Sequence, residues 1–461
     1  MKIRKSWLAL GAAISLAGPT TAFATNGYFA IGYGMNSKAM GGTAVANPQD
    51  AFVGATNPAG MARVGSRIDV GLEFFVPPRA ASGQGIFGLS ADHVESNDNF
   101  FPIPGFAINF DVSERASWGL AFIGNGANTS YQNNFLDLTG TPAEGRPYGQ
   151  LGVELIQMQI LPIYSYKIDD HHSVGVSPVI GLQVFKAYGL GNFAIEDTFG
   201  FIQDGKSGKF TNNGHSWSYG LGLRTGWLGQ FMDNRVSFGV AYASKVYMSR
   251  FKQYTGLFAE NGDFDIPENY AAGMALQFTP KLTMAFDVQR INYSNVKSVG
   301  NRHPTTSLTD PCTRPIDTTV SGCSGGSALT PADRTNQQLG KDDGFGFGWT
   351  DQTAYKLGFR YVLNKQWTLR AGYNYGKSPI PDDQLLFSML APAVTERFYT
   401  FGASYDYKGI ADISFSFVNA PKTGQVCEAP SCTTMLSQSP GEFVAVELGY
   451  YALGVGVSMK F

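Results

Sequence analysis

The stretch Arg67-Ile68-Asp69-Val70-Gly71-Leu72-Glu73-Phe74-Phe75-Val76 decides the fold. Ile68, Val70, Leu72, Phe74 and Val76 point one way; Asp69, Gly71 and Glu73 point the other. A period of two is a strand. One face is a continuous aliphatic and aromatic band, while the other mixes glycine with acids. Apolar-out, polar-in alternation over about ten residues is what a transmembrane β-strand requires, because one face meets lipid and the other a polar lumen.

The same pattern recurs along the chain. Phe106, Ile108, Phe110 and Val112 form the next row, and Trp118, Leu120 and Phe122 the one after, across a tight turn at Ser113–Ala116. Later rows include Val174/Val176/Ile180/Leu182, Trp217/Tyr219/Leu221/Leu223 and Phe401/Ala403/Tyr405/Tyr407. The last is Tyr451, Leu453, Val455, Val457, Met459 and Phe461. These rows predict an all-β fold, a transmembrane antiparallel barrel of about fourteen strands, the even number that single-chain barrels need. Short turns alternate with long loops at 77–100, 132–149, 191–214, 251–267, 294–346, 377–395 and 419–442. The chain ends on an alternating strand with an aromatic residue, as bacterial outer-membrane proteins do.

Composition agrees. The net charge of −2 offers no electrostatic case for nucleic acid. Mean hydropathy is −0.10, a value that averages two opposed faces. Lys2, Arg4 and Lys5 precede an apolar run from Trp7 to Ala17, and Ala22-Phe23-Ala24 is a small-x-small cleavage site. Residues 1–24 therefore read as a signal peptide, and the expected location is the bacterial outer membrane. Cys312, Cys323, Cys427 and Cys432 lie in long polar loops of an oxidising compartment. Of three possible pairings, 312–323 and 427–432 are favoured because each closes a short loop.

Residues 25–66 differ from everything downstream. They are rich in Gly, Ala and Asn, with Pro48 and Pro58, and cannot make a long helix or a central strand. They are also too apolar for a solvated tail. They need an enclosure, and residues 67–461 supply a barrel.

Catalytic motifs do not stand out: G-x-S-x-G, H-E-x-x-H and P-loop patterns are missing, so neither an enzyme, a cofactor nor a metal is expected. Asp263, Asp265 and Glu268 could hold calcium in a loop but lack the spaced ligand set of a known calcium-loop motif. The inward face is more informative. Alternation turns Arg224, Lys356, Arg360 and Arg370 inward, together with Asp69, Glu73, Asp111 and Asp287. Buried charge at membrane depth is costly unless paired. These groups either fix whatever fills the barrel or meet a ligand carboxylate, for which Arg224 and Lys356 are the candidates. In a long loop, Phe193, Ile195, Phe199, Phe201 and Ile202, with Leu190, are too apolar for water. They either line a greasy surface groove or close the barrel mouth.

Gly41-Gly42-Thr43-Ala44, Asn57-Pro58-Ala59-Gly60, Ile266-Pro267-Glu268, Gly348-Trp349-Thr350-Asp351 and Ser378-Pro379-Ile380-Pro381-Asp382 stand in order along the chain. With them the sequence resembles the FadL/TodX family of outer-membrane transporters for long-chain fatty acids and hydrophobic compounds. The resemblance implies a hatch that closes the lumen and a third strand kinked to let ligand leave sideways. On this sequence the hatch residues would be Tyr28, Phe29, Gly41, Gly42, Asn57, Pro58 and Ala59, and the kink Gly124-Asn125-Gly126. The implied partners are a hydrophobic small molecule, long-chain fatty acid first and aromatic hydrocarbon second, and outer-membrane lipid with lipopolysaccharide around a monomer. A general porin and a surface adhesin or phage receptor are the other readings.

Overall fold

The computed structural model describes residues 26–85, 89–132, 134–135, 150–191, 202, 205–303 and 337–461. The signal peptide, Phe193, Ile195, Phe199, Phe201, Cys312 and Cys323 lie outside the described residues.

Seventeen strands form one sheet: β1 (Arg67–Val76), β2 (Arg79–Gln84), β3 (Ser90–Glu95), β4 (Phe101–Asp111), β5 (Ala116–Tyr131), β6 (Leu151–Lys167), β7 (His172–Tyr188), β8 (Ser216–Phe231), β9 (Val236–Ala243), β10 (Tyr247–Met248), β11 (Asn269–Gln277), β12 (Leu282–Ile291), β13 (Gln352–Val362), β14 (Trp367–Gly376), β15 (Arg397–Tyr407), β16 (Ala411–Glu428) and β17 (Phe443–Lys460). Fourteen of them make the barrel, which closes where β1 pairs antiparallel with β17 from Arg67↔Lys460 to Val76↔Tyr451. Closure matters because lipid offers no hydrogen bonds to an open edge. β2 and β3 are a hairpin added to the outer half of β17, and β10 caps the outer end of β8.

The alternation lands as expected. Along β1, Asp69, Gly71 and Glu73 are buried, whereas Val70, Leu72 and Phe74 are exposed. On β8, Trp217, Tyr219 and Leu221 are more than 60% exposed, which water would punish and lipid does not. Connections β4–β5, β6–β7, β8–β9, β11–β12, β13–β14 and β15–β16 are the short ones and share one end. Among the described residues no helix is long and apolar enough to cross a membrane.

The first part of the loop expected at 419–442 is strand. β16 runs to Glu428 and β17 starts at Phe443, with a bulge between Ala420 and Thr423. The alternation hides this extension because it reports lipid contact. Beyond the membrane the outward positions turn polar, as Lys422 and Glu447 show by pairing with each other, while the ladder continues. The expected loop at 77–100 likewise holds the β2–β3 hairpin.

Cys427 and Cys432 form a disulfide at the tip of the β16–β17 hairpin. Such a small loop closes with little entropy, so its removal costs about 2 kcal/mol, and only locally. Cys427→Ser with Cys432→Ser should speed amide exchange in the 428–442 tip and leave the barrel's melting temperature unchanged. A fall in that temperature would show that the tip supports the barrel.

Candidate functional site

The N-terminal segment runs through the lumen and is buried over most of its length. Short elements suit it: a one-turn helix at Met35–Lys38 and two 3-10 turns, Ala51–Ala55 and Pro58–Arg63. The second opens with Asn57 as cap and Pro58 at the first position, where a missing N–H costs nothing.

Asn57, Pro58 and Ala59 act as a bracket on the wall. Asn57 Oδ1 accepts from Ala59 N, and its Nδ2 donates to Val45 O at 2.7 Å and Trp227 O at 3.0 Å. Ala59 O accepts from both Ser165 and Ser173 hydroxyls at 3.1 Å. Gly41 and Gly42 have φ of 68° and 88°, the region open to glycine. A Cβ on Gly41 would sit 2.7 Å from Tyr373 O, so backbone rides directly on backbone there. Gly41 N donates to Thr400 Oγ1 at 2.8 Å, and Asn374 Nδ2 donates to Gly41 O at 3.2 Å.

Charged wall residues complete the attachment. Lys38 pairs with Glu73 at 2.6 Å, with both side chains buried. Asp69 is held by Arg67 and accepts from Ala51 N at 2.7 Å. Asp287 Oδ2 accepts from Ala44 N at 2.8 Å and Val45 N at 3.0 Å. Lys356 Nζ donates to Ile31 O and to Gln289 Oε1, both at 2.8 Å, and Arg224 Nη1 donates to Ala55 O. Arg224 and Lys356 thus line one small cavity between Phe29, Tyr33 and the β8–β13 wall, and each currently serves a carbonyl of the N-terminal segment.

Toward the long-loop end lies an aromatic chain. The Tyr28 ring is 5.3 Å from Tyr293, 5.9 Å from Trp349 and 6.2 Å from Phe264. The chain continues through Phe258 to Phe185 on β7. Tyr293 also donates to Asn26 O, and Phe29 stands edge-on to it. Ile202 packs in this apolar core, 2% exposed, and bridges Leu339.

The Gly124-Asn125-Gly126 stretch is not bulged. It pairs with β6 in unbroken register, Gly124↔Met158 to Gly126↔Ile156. The irregularity is on its other side. β4 and β5 pair only from Asp111↔Ser117 to Phe106↔Phe122, although β4 stays on β1 as far as Phe101. The stretch of β4 that β5 leaves contains Pro102 and Pro104, which bring no N–H. Behind the break, Asn125 Oδ1 accepts from Ala30 N and the Tyr33 hydroxyl, both at 3.2 Å. A second cavity lies beside it, lined by Tyr28, Gly126–Thr129, Phe75 and Trp349.

A family model described as outer membrane protein transport protein (OMPP1/FadL/TodX) matches residues 11–431. The chain belongs to this family. It is an outer-membrane transporter of hydrophobic substrates. The toluene transporter TodX of P. putida superposes with a TM-score of 0.64 at 16% identity, covering 93% of this chain and 99% of that one. The toluene transporter TbuX of Ralstonia pickettii gives 0.59 at 17%, covering 93% and 98%. A FadL homologue of Pseudomonas aeruginosa gives 0.59 at 13%, covering 96% and 100%. No curated protein sequence matches.

Alternation found Arg224, Lys356, Asp287, Glu73 and Asp69, since it reads which face a side chain takes. It missed Lys38, which lies in a segment without alternation, and did not single out Arg67 and Thr400. The signal it did carry was the inward glycines: a Cβ on Gly175, Gly239 or Gly372 would strike N-terminal backbone.

Proposed function

We propose that this protein passes long-chain fatty acids inward by passive diffusion, with the N-terminal segment as a ligand-gated hatch and the β4–β5 break as a sideways exit into the bilayer. The observation that carries the reading is the shared employment of Arg224 and Lys356. Both are buried cations whose present acceptors include hatch carbonyls, Ala55 O and Ile31 O. A carboxylate is a stronger acceptor than a neutral carbonyl. A fatty acid arriving in that cavity would take these donors and loosen the hatch at two of its attachments. The attachment of Ala30 and Tyr33 to Asn125 would pass that movement to the break.

A second reading, aromatic hydrocarbons, draws on the ring chain from Tyr28 to Phe185 and on TodX and TbuX being toluene transporters. Uptake separates the two. A strain lacking the protein should lose oleate uptake and regain it with the intact gene; unchanged oleate uptake in the deletion overturns the reading, and lost toluene uptake instead would favour hydrocarbons. In the purified protein, Lys356→Met should weaken oleate binding about tenfold or more while sparing dodecane, since only oleate carries a charge for Lys356. Equal losses for both ligands would count against a headgroup role.

A further inference from the structure

Three carboxamides stand side by side on the inner wall next to the break. Asn125 on β5 pairs in register with Gln157 on β6, which pairs with Gln183 on β7, and each is fully buried. Their orientations follow from their partners. Asn125 Oδ1 is taken by Ala30 N and the Tyr33 hydroxyl, which leaves Nδ2 as an unpartnered donor. Gln183 Nε2 donates to Phe264 O at 3.1 Å, which leaves Oε1 as an unpartnered acceptor. Gln157, between them, faces the Tyr28 hydroxyl and has no other partner for its two amide atoms. Tyr28 also lines the cavity beside the break. So many orphaned amide atoms in one place are rare in folded proteins and ask for an occupant. Arg79 lines the same cavity, but its guanidinium already donates to Pro77 O and Asp98 O.

We propose that Asn125, Gln157 and Gln183, with Tyr28, form a subsite for an uncharged ligand head that both donates and accepts hydrogen bonds: a hydroxyl, a primary amide or a protonated carboxyl. The chemistry excludes a carboxylate, which only accepts and would leave Gln183 Oε1 unmatched. The inference rests on the transport reading and adds to it that a fatty acid leaves through the break as the neutral acid. The carboxylate released by Arg224 and Lys356 takes up one proton from hydronium or a buffer acid, whose conjugate base stays in solution, before its head enters the row.

The test uses the full mature protein in lipid nanodiscs, with empty nanodiscs subtracted, and the probes 1-dodecanol, dodecanamide, dodecane and oleate. Dodecanol and dodecanamide should bind at least tenfold more tightly than dodecane. Gln157→Leu should remove that margin without changing dodecane, and the carbonyl stretch of carbon-13 dodecanamide should move to lower frequency only in the unmutated protein. If dodecane and oleate bind but dodecanol gains nothing over dodecane, the row is closed on itself and the subsite is overturned, while transport stands. If none of the four binds, the transport reading fails with it. The wild-type comparison alone decides the matter should Gln157→Leu not assemble.

Discussion

Asp287→Leu should turn a closed barrel into one that conducts ions. Asp287 Oδ2 holds two consecutive N–H groups of the N-terminal segment, Ala44 and Val45. It also lies directly across the β12–β13 ladder from Lys356, which holds Ile31 O. Leucine removes the acceptor, buries two N–H groups without partners and leaves Lys356 without its neighbouring anion. Removing one member of such a buried charged arrangement costs about 3–5 kcal/mol. Expressed as a population, that is a shift of about two to three and a half powers of ten toward a detached segment. The strands themselves are spared, because residue 287 keeps its backbone ladder to Gly273 and Lys356. Planar-bilayer recordings should therefore show steady open steps for the variant and a near-silent wild type. Silence in both, with a normally folded barrel, would mean that the other attachments suffice and that Asp287 is not a principal one.

Gly175→Val should give a leak by a different route. A Cβ on Gly175 would overlap the Pro58 carbonyl carbon and the Ala59 nitrogen and lie 2.6 Å from Pro58 O. Those are backbone atoms with no rotamer to yield, so the Asn57-Pro58-Ala59 bracket must move off β7. Moving it loses the Ser165 and Ser173 bonds to Ala59 O and the Asn57 bond to Trp227 O. Three hydrogen bonds at about 1 kcal/mol each make a total near 3 kcal/mol, before any steric cost. Conductance and sensitivity to bulky antibiotics should both rise. Gly424→Val is the control, because a Cβ there meets only ordinary contacts at 3.4 Å and beyond. Adding Asn57→Ala to Gly175→Val should then cost little more, since both act on one bracket. Full additivity would show that the two residues hold different parts of the segment.

The two variants probe what the sequence could not state. Lys38 and Glu73 are 35 positions apart, and Gly41 and Thr400 are 359 apart. No periodicity links such pairs, because the N-terminal segment has no repeat of its own to register against the wall. The carboxamide row shows the same limit. Asn125, Gln157 and Gln183 are each legible as inward polar residues, but only the pairing of β5, β6 and β7 sets them abreast.

The break shows where a motif is silent. Gly124-Asn125-Gly126 keeps step with β6, and the ladder fails on the β4 side. Glycine permits a distortion without requiring one. The outer hairpin of β16 and β17 escaped notice for a related reason: above the membrane the apolar set changes face, with Val444, Val446 and Leu448 buried inward, so the lipid-facing rhythm stops while the strands go on.

What the sequence determined by itself is the barrel. Arg67–Val76 and the rows after it carry one apolar face because lipid demands it, and a one-residue slip would turn every side chain to the wrong solvent. That requirement is local, repeated and visible in a single line of residues. What only the tertiary structure decided is the relation between the barrel and the segment inside it: which base serves which carbonyl, which glycine admits which turn, and where the wall parts. Those choices depend on distances between residues hundreds of positions apart, which exist only once the sheet has closed.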